Sequence, residues 1–162
     1  MSLIHCHPLW MTAGSSPFKV AMATVQAAML SGRYRTGALM RHWSSSKSGN
    51  CILYPTCYDE IEDIPHLLQH CPALNSVRVG LAEFTKQISL KLPPFIAHTL
   101  LQQCCPSSPS FCSFLLDCST VAAVVSLVQD FGNEVLNYFF EVTRTWQGWF
   151  IPGFGQLYYT NT

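Results

Sequence analysis

Three cysteines and one histidine lie close together near the middle of the chain, with the spacing C-x5-C-x8-H-x4-C. They are Cys51, Cys57, His66 and Cys71. Three thiolates and one imidazole form a closed tetrahedral ligand set for Zn²⁺, and a closed set is typical of structural rather than catalytic sites. Because metal binding contributes folding free energy, such a site can organise a loop too short to build its own core. We therefore predict a zinc knuckle with no catalytic role.

The spacing leaves alternatives open for the ligand set. The two cysteines are separated by more residues than the two to four usual in zinc knuckles. On a continuous α-helix, His66 and Cys71 would project about 140° apart, although Pro72 ends the helix and lets Cys71 turn back. His70 shares a helix face with His66. The sequence alone therefore allows a Cys51, Cys57, His66 and His70 set, or surface histidines beside buried thiols.

Composition indicates a chain rich in buried surface. Apolar residues make up 49% of the 162 residues and charged residues only 11%, less than half of the usual charged share. We expect either a well-filled core or packing against another polypeptide. No segment has the roughly 20 predominantly apolar residues of a membrane-spanning helix, so the apolar stretch 111–140 is predicted to form core helices.

Basic residues are concentrated in the first 50 positions, which contain five lysines and arginines and no acid. This asymmetry favours contact with a polyanion, although ordinary solvated side chains are an alternative. Arginines beside an aromatic ring suit phosphate contact and base stacking, while we expect the nearby Trp43 to pack in the core. The candidate nucleic-acid-binding residues are Arg33, Tyr34, Arg35, Arg41 and Lys47.

Start and stop signals predict a mainly α fold. Ser16 followed by Pro17 is typical of a helix start, and Gly32 of a helix end. The acidic run at residues 59–63 favours the first turn of another helix through the helix dipole. We predict seven helices: 17–31, 36–43, one from the acidic run to about residue 71, one from 72 to about 88, 95–105, 111–128 and 134–146. The last two are predicted to be joined by a loop around residues 130–133. The corresponding segments are a basic helical segment (1–50), the zinc knuckle with its following helix (51–92), an apolar helical segment (93–146) and an irregular tail (147–162).

The chain contains eight cysteines but begins with a segment that has neither a basic nor an apolar leader region. Without a secretory route, metal binding and free thiols account for the cysteines better than disulfides do. We therefore expect an intracellular protein of the nucleus or cytoplasm. The cysteines outside the knuckle are expected to be buried free thiols; they are Cys6, Cys104, Cys105, Cys112 and Cys118.

Several strings resemble the region downstream of the polymerase in non-LTR retrotransposon reverse transcriptases. They are LSGRYRT at 30–36, RHW at 41–43, the cysteine pair, EDIPHLLQHCPAL at 62–74, Arg78, and the block from Phe131-Gly132 to Trp146. The resemblance covers roughly residues 7–146. It implies that Cys51, Cys57, His66 and Cys71 are the zinc ligands and that His70 is not.

The resemblance also implies an RNA or DNA partner, namely the element's transcript or its target DNA, and association with the rest of a reverse transcriptase. The Asp-Asp pair of the polymerase palm is absent from this sequence. The expectation is thus a fragment without polymerase or nuclease activity and without a small-molecule substrate. The sequence contains neither an H-E-x-x-H nor a G-x-S-x-G motif, so it does not favour a metalloprotease or a serine hydrolase. Alternatives are a helical protein-interaction module, in which helices 95–146 dock on a partner, and a non-functional relic.

Overall fold

The structure is a computed structural model that describes residues 8–44, 48–117, 124–125 and 127–145. Over these ranges it is mainly helical, as predicted, and contains no β-strand beyond one isolated antiparallel bridge between Asn50 and Ile61. Three short turns lie between the third and fourth α-helices: 3₁₀ turns at Pro55–Cys57 and Pro72–Leu74, and a π-helical turn at His66–His70. The α-helices are α1 (Pro8–Ala13), α2 (Pro17–Leu30), α3 (Gly37–Trp43), α4 (Asn75–Ser89), α5 (Pro94–Gln103), α6 (Phe111–Asp117) and α7 (Gln129–Thr145).

The first two predicted helices begin at their caps. The Ser16 side chain accepts a hydrogen bond from the Lys19 backbone N–H at 3.5 Å, and the Thr36 hydroxyl accepts one from Leu39 N–H at 3.2 Å. Both contacts satisfy N–H groups that have no partner inside the helix. Gly32 follows α2 with φ +69°, a left-handed conformation that glycine adopts without steric cost. The sequence did not predict α1.

The acidic run at residues 59–63 does not start a helix, contrary to the sequence-based expectation. Its backbone instead pairs with residues 49–51: Cys51 N–H donates to the Glu60 carbonyl at 2.8 Å, and Glu62 N–H donates to the Gly49 carbonyl at 2.9 Å. These hydrogen bonds close a loop and occupy backbone groups of the acidic run that a helix would need. The helical turn begins only after Asp63, whose side chain accepts from His66 N–H at 2.8 Å.

The last described helix begins earlier than expected. Residues 130–133 were predicted to be a loop, but they lie within α7. Two contacts account for the difference. The Phe131 ring is fully buried, and Gly132 lies so close to the Thr12 side chain that there is no room for a Cβ. The glycine therefore serves close packing of α1 on α7 rather than a turn.

Helix α7 lies at the centre of the packing. It contacts α1, α2 and α4 as well as the Pro72–Leu74 turn, while α6 packs on α2 and on the π-helical turn. One hydrophobic cluster runs through these elements and includes the three knuckle cysteines together with Leu67 and Leu68. The predicted metal ligands are therefore attached to the main core of the chain.

Helix α3 packs closely on the knuckle through Gly37. A Cβ added at Gly37 would lie 2.7 Å from the Gly49 carbonyl oxygen and 3.1 Å from Glu62 Cβ. We expect Gly37→Ala to lower the free energy of unfolding by about 1–3 kcal/mol, the usual range for overpacking. Chemical denaturation of the purified chain measures this effect.

The matched control is Gly80→Ala, in the middle of α4. A Cβ there meets no atom within 4 Å, so the change should raise the free energy of unfolding by about 0.5–1 kcal/mol. Unchanged stability in the Gly37 variant would contradict the close packing of α3 on residue 49.

None of the helices that the structure describes is both long and apolar enough to cross a membrane. The predicted tail at 147–162, part of the predicted helix 111–128, and Lys47 lie outside the described residues.

Candidate metal centre

The four predicted ligands converge. One side-chain atom from each of Cys51, Cys57, His66 and Cys71 can be chosen so that all four atoms lie within 4.8 Å of one another, and all four residues are buried. The Cys51 and Cys71 sulfurs are 3.8 Å apart. Two sulfurs held about 2.3 Å from a tetrahedral zinc ion lie about 3.8 Å apart, whereas a disulfide is only about 2.05 Å long. The spacing therefore fits a metal site, and the two sulfurs are not joined in a disulfide.

The loop between the first two cysteines accommodates their unusual separation. Cys57 ends the Pro55–Cys57 turn, and its N–H donates to the Tyr54 carbonyl at 2.9 Å. Asn50 Nδ2 donates to the Tyr58 carbonyl at 2.6 Å across the loop. The extra residues are taken up by this turn, so the wide spacing still returns Cys57 to Cys51.

A π-helical turn brings His66 and Cys71 together. Cys71 N–H donates to the His66 carbonyl at 2.7 Å, which is the i→i+5 bond of a π-helix. Because the two residues are one π-turn apart, the separation of about 140° expected on an α-helix does not apply. Cys71 itself is extended (φ −61°, ψ 120°), as the following proline favours. The π-turn thus allows two residues with the H-x4-C spacing to contribute to the same cluster.

The alternative set containing His70 does not form. His70 is exposed, and the cluster contains Cys71 instead. The other alternative, in which His66 is a surface residue, is also wrong, because His66 is buried.

The imidazole of His66 is oriented as a ligand would be. Its Nδ1 lies 3.1 Å from Glu60 Oε2, and because a carboxylate accepts hydrogen bonds, Nδ1 is the protonated nitrogen. Its Nε2 is buried with no hydrogen-bond partner. A buried acceptor without a partner is costly, and a carboxylate on the second nitrogen is the usual support of a metal-bound histidine. Glu60 was not predicted from the sequence; its position between Cys57 and His66 was the only signal.

Burial favours the neutral forms of the thiols and of the imidazole in the cluster. Burial raises the pKa of the Cys51 thiol to about 12 and also raises the pKa of Cys57, in both cases with a smaller contribution from the neighbouring Cys71. Burial lowers the pKa of His66, against a smaller opposing effect of Glu60. The imidazole is therefore neutral at pH 7, as a metal ligand must be. A bound divalent cation would have the opposite effect on the cysteines: it would lower their pKa and stabilise the thiolates.

We expect Glu60→Ala to weaken zinc binding by about tenfold, since loss of an outer partner typically costs 10- to 100-fold in affinity. We expect the lower end of this 10- to 100-fold range because the Glu60 side chain is 59% exposed, so that water can partly replace it. Competition with a chromophoric chelator measures the affinity. Asp59→Ala, which removes a neighbouring exposed acid, should leave it unchanged; equal losses in both variants would argue for a general charge effect instead.

The remaining cysteines within the described ranges, Cys104, Cys105 and Cys112, do not join the cluster. Cys104 is buried, as expected of a core thiol, whereas Cys105 and Cys112 are only partly buried. Cys104 lies 3.2 Å from the Thr85 hydroxyl, and burial raises its pKa to about 11. Cys6 and Cys118 lie outside the described residues.

The predicted nucleic-acid-binding residues differ in accessibility. Arg33, Arg35 and Arg41 are exposed. Tyr34 is only 4% exposed, so no base can stack on it in this conformation. Trp43, which was expected to pack in the core, is 60% exposed, and that expectation was wrong.

Two exposed aromatic residues were not predicted from the sequence: Tyr54 lies between Cys51 and Cys57, and Tyr58 directly follows Cys57. Nothing in the surrounding residues, several of which are apolar, indicated their exposure.

Comparisons with protein-family models, with curated proteins and with solved structures gave no match to this chain. The likeness to retrotransposon reverse transcriptases therefore remains an expectation from the sequence.

Proposed function

We propose that this chain is a zinc-stabilised nucleic-acid-binding module of a reverse-transcriptase-like protein, without polymerase or nuclease chemistry of its own. The observation that carries the proposal is the buried set of three sulfurs and a histidine nitrogen that has no other partner. Thiolate and imidazole ligands in these numbers favour zinc among the common biological metals. Four protein ligands leave no coordination position for a substrate, which supports a structural role.

The metal centre is connected to the basic segment. Glu62 follows the knuckle loop, and its Oε1 accepts from Gly37 N–H at 2.9 Å. The Glu62 carbonyl accepts from Ala38 N–H, also at 2.9 Å. Because both bonds hold the start of α3, a metal that orders the loop also orders α3. The exposed arginines Arg35 and Arg41 lie just before and within α3.

Exposed aromatic rings provide stacking surface on the same unit. Trp43 ends α3, and Tyr54 and Tyr58 lie in the knuckle loop. Rings of this kind beside arginines bind single-stranded nucleic acid with little sequence preference. Two of the nearby acids are engaged in the fold, Glu60 with His66 and Asp63 with the backbone. These three rings replace Tyr34 in the proposed interface.

The test is binding of the zinc-loaded chain to fluorescent single-stranded RNA, single-stranded DNA and duplex DNA between 50 and 200 mM salt. We expect single strands to bind more tightly than duplex. The double variant Arg33→Ala/Arg35→Ala should lower the slope of log affinity against log salt by about 1.4 on single strands. The matched double variant Lys86→Ala/Lys91→Ala removes two exposed charges from and beside α4 and should leave binding unchanged. No binding by the wild type at 50 mM salt, or equal losses in the two variants, would contradict the proposal.

A protein-interaction role is the second candidate. Leu90 is 89% exposed and Phe95 is 82% exposed, and they flank the short turn between α4 and α5. Two exposed large apolar side chains at the two ends of one short turn favour a contact with another polypeptide. Sedimentation of the wild type and of a Leu90→Gln/Phe95→Gln variant tests this candidate. Concentration-dependent association that the substitutions abolish would support it, and a monomer in both cases would count against self-association.

A further inference from the structure

Arg78 is a buried cation without an anionic partner in the described part of the chain. Its side chain is 3% exposed, and no carboxylate of the described residues lies within ion-pair distance of it. One guanidinium nitrogen, Nη2, donates to the Cys71 carbonyl. A second guanidinium nitrogen, Nη1, is buried with no hydrogen-bond partner. A buried, unpaired charge is among the costliest features that a fold can contain, so a compensating negative charge is expected beside it.

The position of this guanidinium points to the metal centre. It is bonded to the backbone of one ligand, Cys71, and its charge also acts on a second ligand, His66. The guanidinium also interacts with the Tyr138 hydroxyl, which donates to the Leu68 carbonyl at 2.6 Å. Arg78 is thus placed between the ligand cluster and the core helix α7.

The charge of the loaded centre matches this placement. A divalent cation with three thiolates and a neutral imidazole has a net charge of −1, which a single guanidinium balances. A centre of two cysteines and two histidines, such as the set with His70, would be neutral and would leave Arg78 uncompensated. Among the buried groups, which exclude the largely exposed Glu60, charge balance therefore favours the same three-cysteine set as the geometry does.

We propose that Arg78 is the counter-ion of the metal centre: a buried positioning residue that favours a divalent cation bound by three thiolates and holds the Cys71 backbone in place. The inference rests on the proposed metal binding. Deleting the charge should weaken metal binding even where the four ligands are intact, and the charge should matter more than the shape of the side chain.

The test compares three substitutions in the full chain. Arg78→Met keeps an unbranched side chain without charge, Arg78→Gln keeps hydrogen-bonding groups without charge, and Arg78→Lys keeps the charge without the planar fork. Zinc affinity is measured by chelator competition. The reactivity of the zinc-bound thiolates towards an alkylating reagent is measured in parallel, because it reports on the charge near the sulfurs. Lys86→Met, an exposed change on the same helix, is the control.

We expect Arg78→Met and Arg78→Gln to lower zinc affinity by 10- to 100-fold, the range typical of outer partners of a metal, and to speed up alkylation. Arg78→Lys should recover most of the affinity. Should Arg78→Met fail to fold, the Lys and Gln variants decide the question.

Equal losses in the Lys and Gln variants, or affinity within twofold of wild type in the Gln variant, would overturn the inference while leaving the metal site itself intact. A wild-type chain that takes up no zinc would instead overturn the metal site, and the counter-ion role with it.

Discussion

Removal of zinc is expected to unfold residues 49–74 and to lower the free energy of unfolding of the whole chain by several kcal/mol. Structural zinc sites bind with apparent free energies of about 10 kcal/mol or more at neutral pH. Without the ion, the knuckle retains a few backbone bonds and a single isolated bridge. The loss should spread to the core, because Leu67 and Leu68 are fully buried and Tyr138 is bonded to Leu68.

Hydrogen exchange with and without a chelator measures this effect residue by residue. The knuckle amides, such as those of Cys51, Glu62 and Cys71, should lose protection first, and amides in the middle of α4 and α7 should lose less. A sample treated with chelator and then given excess zinc should regain its protection. Identical exchange with and without the chelator would contradict a structural role of the metal.

The two neighbouring histidines should behave in opposite ways. We expect His66→Ala to abolish stoichiometric zinc binding, because it removes one of four ligands and leaves buried thiols behind. His70→Ala should change the affinity by less than about twofold, since surface substitutions usually alter free energies by no more than about 0.5 kcal/mol. Zinc content after gel filtration, together with chelator competition, measures both variants.

Cysteine variants provide the second half of this comparison. Cys71→Ala should lose the metal, whereas Cys112→Ala, at a partly buried thiol outside the cluster, should keep it. Retention of zinc by the His66 or Cys71 variant, combined with its loss from the His70 variant, would show that the ligand set differs from the one described above.

The sequence pointed to Cys51, Cys57, His66 and Cys71 as candidate ligands because their chemistry is local and specific, although it left His70 open as an alternative to Cys71. Three thiols and an imidazole within one short segment are typical of a metal site, and the proline after Cys71 indicated how the chain turns back. The cap residue Ser16 likewise predicted the start of α2, because capping depends on a single side chain and the next three residues. The start of α3 was predicted to within one residue, without its cap.

The features that were missed depend on contacts between distant segments. The acidic run at residues 59–63 has the composition of a helix start, but pairing with residues 49–51 determines its conformation. Gly132 has the appearance of a turn residue, yet its role is set by Thr12, which lies 120 positions earlier in the chain. The π-turn at His66 also has no signature in the sequence.

Local sequence patterns also did not predict which aromatic residues are exposed. Tyr34 and Trp43 both lie beside arginines in a basic segment. Tyr34 is nevertheless 4% exposed and Trp43 60% exposed, a difference that their similar neighbours in the sequence do not indicate.

The most direct test of the central claim is elemental analysis combined with native mass spectrometry of the purified, untagged chain. We predict one zinc ion per polypeptide, a mass shift that disappears in Cys71→Ala, and cobalt substitution that gives the absorption of a tetrahedral thiolate site. A folded chain that contains no zinc and takes up none from solution would contradict the account.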